Sequence, residues 1–210
     1  MVSSLSRPAG LEFDGHGRLY IADTYNHCIR RVTFMIYLAI YLLALPAALA
    51  LQACGSSPAA VEPGPYACIA AFAGDGQASQ GADNVPLLKA SFYLPQDLTF
   101  GPDGRPYILD WNNHRVRLVY EGRVRTMIGT GELGDAPSGP ALEIGLNHPT
   151  HISFDPLGRL VLSAWHNSLV LSAWHNSMVL RYDSTTGYIE PICGTGERAY
   201  GGDGCPPTRL

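Results

Sequence analysis

The 210-residue chain is poor in charge and has no basic stretch: Asp, Glu, Lys and Arg make up 15% of it, and the formal net charge is −4. Without a run of Lys or Arg there is no electrostatic footprint for a polyanion, which argues against nucleic acid and anionic lipid as partners. Cysteine is scarce and odd in number. Cys28, Cys54, Cys68, Cys193 and Cys205 lack the close pairing of a zinc site, so they point to no metal or other cofactor, and one of the five needs a separate role. Also missing are a Gly-x-Ser-x-Gly elbow, a phosphate-binding glycine loop leading into a helix, and a His-Glu-x-x-His pair. No residue is therefore assigned to catalysis. Turn formers, by contrast, are plentiful: 23 Gly and 16 Pro in a chain that is 46% hydrophobic suit a loop-rich, all-β protein.

One long hydrophobic run interrupts this pattern. From Thr33 to Ala53 no residue is charged. A helix of that length, rising about 1.5 Å per residue, would cross a bilayer core of about 30 Å. Arg30 and Arg31 precede the run, and Leu51-Gln52-Ala53-Cys54 followed by Gly55-Ser56-Ser57 closes it. This order resembles a bacterial lipoprotein signal. The resemblance implies that Cys54 is lipidated and becomes the N-terminus, and that residues 55–65 form a flexible linker. It also implies that the remainder sits outside the cytoplasm, attached to the bacterial cell envelope. A transmembrane anchor or uncleaved signal is the alternative, with a buried core helix as a third possibility.

Around this run the sequence repeats. "RPAGLEFDGHGRLYIADTYNHCIRRV" (7–32), "LPQDLTFGPDGRPYILDWNNHRVRLV" (94–119) and "HPTHISFDPLGRLVLSAWHNS…MVLRYD" (148–183) align from a shared Pro. Each has a short apolar strand, a Gly-containing turn, a second strand, an Asn-centred turn and a third strand. Gly and Asn tolerate the positive φ of such turns, so these are hairpins. Candidate fourth strands are "ACIAAFAG" (67–74), "GRVRTMIGTG" (122–131) and "GYIEPICGTG" (187–196). Pro95 to Pro149 is 54 residues and Gly74 to Gly129 is 55, the length of one four-stranded propeller blade. With Asn26-His27 and Asn113-His114 at the turn, these segments resemble the NHL-repeat family. The Gly-Asp-Gly linkers are similar to those of its bacterial and teneurin-like members.

The expected fold is thus an incomplete NHL-type β-propeller of about three four-stranded blades, one interrupted, plus one hydrophobic helix. Its expected parts are a three-stranded partial blade at 1–32, the hydrophobic segment at 33–54, the linker at 55–65, and further blades at 66–210. Three spacings depart from the repeat. Pro8 to Pro95 is 87 residues, and the hydrophobic run with its linker fills the excess. Either two pieces join near Arg30–Met35, or "ACIAAFAG" completes the first blade and the run is an insertion. "LVLSAWHNS" occurs twice, at 160–168 and 169–177, so a bulging loop or an extra hairpin strand is expected there. Finally, the sequence ends within an inter-blade linker, whereas closed propellers have at least about four blades.

The candidate functional residues are few. Asp23 and Asp110 end second strands, where a carboxylate can accept turn N–H bonds, and with Asn26, Asn113 and Asn176 they read as structural turn residues. Asp97 and His151 occupy equivalent positions, matched by Gly10 in the first repeat, where side chains would approach a central channel. They form a possible ligand site at the channel rim. Trp111, Trp165, Trp174 and Tyr25 are candidates for an aromatic patch or for packing between blades. Cys193 and Cys205 flank one linker and are a possible disulfide, as is either with Cys68. The expected function is a non-catalytic binding scaffold for an unknown protein or small-molecule ligand. The alternatives are a metal-dependent propeller enzyme of lyase or lactonase type, and a chimaeric or truncated fragment without a function of its own.

Overall fold

The computed structural model describes residues 4–34, 66–134, 138–166 and 176–194. They form three antiparallel sheets. The first comprises β1 (Pro8–Phe13), β2 (Leu19–Asp23), β3 (Cys28–Phe34) and β4 (Tyr66–Ala73), side by side in chain order. The second contains β5 (Val85–Pro86), β6 (Pro95–Phe100), β7 (Pro106–Asp110), β8 (Arg115–Tyr120) and β9 (Arg123–Ile128), in the order β5-β9-β8-β7-β6. The third repeats that order with β10 (Gly139–Pro140), β11 (His151–Phe154), β12 (Leu160–His166), β13 (Asn176–Asp183) and β14 (Tyr188–Cys193). In both later sheets a two-residue strand from the preceding linker caps the outer edge, which leaves that edge less open to foreign strands. The fold is an incomplete all-β propeller.

Alternation along each strand makes the blades stack. Tyr20 and Ala22 of β2 join Phe92, Leu98 and Ile108 in one core between the first two blades. One blade on, Tyr107 and Leu109 of β7 join Ile152, Leu162 and Leu180 in the next. Neighbouring residues of a strand point to opposite faces, so β7 packs Ile108 backwards and Tyr107 and Leu109 forwards. The innermost strands β1, β6 and β11 lie next to one another.

Strand β4 lies on β3, from Ile29 opposite Ala73 to Phe34 opposite Tyr66. In the second blade the corresponding hairpin turns through Glu121 and Gly122 alone, both at positive φ. The first-blade ladder is thus complete on both sides of the break in sequence between Phe34 and Tyr66. Thr33 and Phe34, expected in the hydrophobic helix, belong to β3, because their backbone continues the ladder opposite Cys68 and Tyr66. The rest of that segment, Cys54 and the linker lie outside the described residues. Among the described residues no helix is long and apolar enough to cross a membrane.

The tandem nonapeptide falls across the hairpin of β12 and β13. Asp110 pairs with Arg115 across the second-blade turn, while the equivalent Ala164 pairs with Met178. Four residues separate the first pair and thirteen the second; Trp165–His166 and Asn176–Ser177 lengthen the ladder by two pairs, and 167–175 lie outside the described residues. One expectation is corrected here. Asn176 is not a turn residue but the first residue of β13, opposite His166, because the β12–β13 ladder runs on two pairs past Ala164 and Met178.

Candidate functional site

The carboxylates at the ends of β2 and β7 are strand clasps. Asp23 Oδ1 accepts the Ser6 N–H at 2.7 Å, and Asp110 Oδ1 accepts the Tyr93 N–H at 2.8 Å. Their other oxygens accept the amides of Asn26 at 2.8 Å and Asn113 at 2.9 Å. The backbone partners therefore lie just before the innermost strand of the same blade, seventeen residues upstream, and not in the turn itself. Both acids are fully buried. Arg30 Nε meets Asp23 at 2.9 Å, and Arg117 Nη1 lies 3.5 Å from Asp110. Burial pushes the Asp110 carboxyl up to about 6, against the pull of Asn113, the Tyr93 N–H and the two arginines Arg117 and Arg115. A second role falls to the residue after each Asn. His27 and His114 take the left-handed conformation at φ 51°. Their Nδ1 atoms accept the backbone N–H of Leu94 at 3.2 Å and His148 at 3.3 Å, each in the following blade. His114 also contacts His148, with ring centroids 4.6 Å apart, and burial, then His148, lowers its pKa to about 4.

The register pair predicted at the channel rim does come together. His151 Nδ1 lies 2.5 Å from Asp97 Oδ2, and that oxygen also accepts the Ile152 N–H at 2.9 Å. Asp97 is buried, whereas the His151 side chain is 71% exposed. Gly10 completes the register by vacancy: a Cβ there would stand 2.5 Å from Asp97 Oδ1 and 2.7 Å from Asp97 Cα, so β1 can approach β6 only without a side chain. Half-buried Glu12, two residues along β1, is the acid sequence reasoning missed, although strand alternation places it on the face of Gly10. Its pKa is raised by burial and then by Asp97, and lowered by His151. Among the described residues no three His, Cys, Asp or Glu side chains are grouped to hold a metal ion.

The other candidates divide. Trp111 packs against His148 at 4.8 Å, and Tyr25 is exposed under the Arg7 guanidinium at 4.9 Å. They do not form one patch. Nothing is described for the Trp165 side chain, and Trp174 lies outside the described residues. Cys193 ends β14 and is exposed, while Cys205 lies outside the described residues.

A groove of about 340 Å³ opens between the second and third blades. Arg105, Arg159, Tyr107, Tyr182, Phe154 and Met127 line it. It is bounded by the turns joining β6 to β7 and β11 to β12. A sequence signal marks the place: Gly101 stands where the equivalent turns carry Asp14 and Asp155.

The NHL repeat, as a family, matches residues 5–32. The first blade is similar to an NHL repeat. Residues 94–119 and 148–183 reuse its strand order in the second and third blades. No curated protein matches the chain. Among solved structures, a protein of unknown function from Bacteroides thetaiotaomicron is 20% identical at a TM-score of 0.56, over 77% of this chain and 34% of that one. An auxiliary nutrient binding protein from Bacteroides ovatus is 21% identical at a TM-score of 0.52, over 77% of this chain and 36% of that one. The chain thus spans about a third of these two proteins, and such identities establish shared fold alone. Virginiamycin B lyase from Staphylococcus aureus aligns with 91% of this chain and 57% of its own at 12% identity and a TM-score of 0.42, too distant to carry an argument about activity.

Proposed function

We propose that this NHL-repeat chain is a non-catalytic propeller scaffold that binds a protein or small-molecule ligand, tethered to the bacterial cell envelope through Cys54. The observation that carries the binding role is how the polar candidates are used. Asp23, Asp110, Asn26 and Asn113 fasten strands within blades, while His27, His114 and Asp97 fasten one blade to the next. Such a frame is rigid, and it presents loops and an interblade groove to solvent. The auxiliary nutrient binding protein that shares the fold accords with this role. The tether rests on the Arg30-Arg31 pair, the uncharged run and the Leu-Gln-Ala-Cys ending.

One observation favours a second reading, a metal-dependent propeller enzyme: Asp97 orients an exposed His151. The two readings separate on metal analysis of the full chain after dialysis. Stoichiometric metal that disappears in His151→Ala would establish the second reading; metal-free protein with an unchanged fold supports the scaffold. Intact mass after expression in a host with a lipoprotein pathway tests the tether. A species beginning at a lipidated Cys54 supports it, and a full-length unlipidated species refutes it.

A further inference from the structure

Three equivalent turns join the first and second strands of the blades, and all end in Gly-Arg: residues 14–18, 101–105 and 155–159. In the first and third, the leading Asp clamps the closing Arg. Asp14 Oδ2 accepts Arg18 Nε at 2.6 Å, and Asp155 Oδ2 accepts Arg159 Nε at 2.7 Å. In the second the leading residue is Gly101. Arg105 instead meets Asp103 through Nη1 at 3.3 Å, and its guanidinium lies 4.4 Å from the Tyr120 ring centre. Both members of that ion pair are more than two-fifths exposed, so the pair contributes little and is readily exchanged for another carboxylate.

The missing side chain also shapes the groove wall. A Cβ at Gly101 would lie 2.8 Å from Asp103 Oδ1, 3.0 Å from Tyr107 Cε2 and 3.4 Å from Phe154 Cζ. An Asp at this turn position, as in the other two blades, would crowd the wall and compete for Arg105. The departure from the repeat therefore opens the groove and leaves its guanidinium exchangeable.

We propose that the groove between the second and third blades binds a small organic carboxylate with an aromatic or bulky apolar body. This rests on the scaffold reading and names its ligand class. Arg159 is already held by Asp155, whereas Arg105 has only the exposed Asp103, so Arg105 is the groove cation open to a ligand carboxylate. Arg105 offers the planar fork that recognises a carboxylate through two hydrogen bonds. Burial raises the phenols of Tyr107 and Tyr182, so both remain protonated and can donate. Leu118, Met127, Leu160 and Phe154 supply the apolar surface for the ligand body. The volume of about 340 Å³ is at the small end of ligand pockets, which restricts the occupant to a small molecule.

The test is a fluorescence titration of the full-length chain with 2-naphthoate, and with 2-naphthamide as the uncharged analogue of the same shape. Saturable one-site binding of naphthoate is expected, at least about tenfold tighter than that of the amide. Arg105→Gln should remove most of that preference. Gly101→Asp, which restores the turn of the other blades, and Ser184→Trp, an exposed change at the groove rim, should each weaken binding by at least about tenfold while leaving the thermal transition in place. Equal affinity for the amide would overturn the anion recognition. Naphthoate binding untouched by both groove variants would place the ligand elsewhere, so the inference would fail and the scaffold reading survive. No naphthoate binding up to about 1 mM would overturn the proposed ligand class.

Discussion

Leu11 and Leu98 are the same residue at the same repeat position, and replacing each with Ala isolates what a neighbouring blade contributes. Leu98 is 1% exposed because the first blade covers it, and the equivalent Ile152, covered by the second, is also 1% exposed. Leu11 opens the first blade and is 60% exposed. Leu→Ala removes roughly three carbons at about 0.8 kcal/mol each, or about 2.4 kcal/mol for full burial. At Leu98 a cavity adds to this, so Leu98→Ala should cost about 2–5 kcal/mol. At Leu11 about two-fifths of the transfer is at stake and no cavity forms, which gives about 1 kcal/mol. Urea denaturation of both variants, with m unchanged, measures the difference. Equal costs would refute the reasoning, because Leu11 would then have to be covered in solution.

Acid should weaken the blade junction at His114. Its folded pKa is about 4 against an ordinary 6.5, so between these values the unfolded chain binds more protons and stability falls as pH falls. The span corresponds to an upper bound of about 3 kcal/mol. Asp110, raised to about 6, works in the opposite direction, losing stability as pH rises from 3.8 to 6, so the wild-type profile is a difference of the two. His114→Asn tolerates the left-handed backbone, and its destabilisation relative to wild type should shrink between pH 7 and pH 4; a constant gap would refute the shift. Asp110→Ala removes the acceptor of the Tyr93 N–H and the Asn113 amide while Arg117 keeps Asp83, and should cost about 1–3 kcal/mol by denaturant melt. Deleting residues 169–177 returns the β12–β13 connection to the four residues of the second blade and should leave the thermal midpoint unchanged or raised; a lower midpoint would show that the surplus copy packs. Cys54→Ser should abolish the lipid mass on the protein and leave residues 1–53 attached, read by intact mass; a species still cleaved before residue 54 would refute the lipid tether.

How far the chain could be read depended on whether the signal was local. Pro8, Pro95 and Pro149 opening each repeat, the Gly and Asn-His turns, and the period of 54–55 residues are local, and they determine strand number, strand order and blade length. The Asp97–His151 pairing was visible as register alone, because equivalent positions on adjacent inner strands face the same side. Other features depended on which blade lies against which. Leu11 and Leu98 are indistinguishable in sequence, yet only the latter has a covering blade. His27 and His114 look like turn residues, but their ring nitrogens reach the next blade, a contact with no trace in local pattern. Asn176 keeps its motif and still stands in a strand, since ladder pairing with His166 outweighs its turn preference. The sequence by itself determined the repeat and the hydrophobic interruption, because periodicity and hydropathy act through neighbours along the chain. Only the tertiary structure decided that β4 closes the first blade, that Glu12 approaches Asp97, and that the absent side chain at Gly101 opens a groove. Those depend on distances between residues far apart in the chain, which burial and backbone pairing set together.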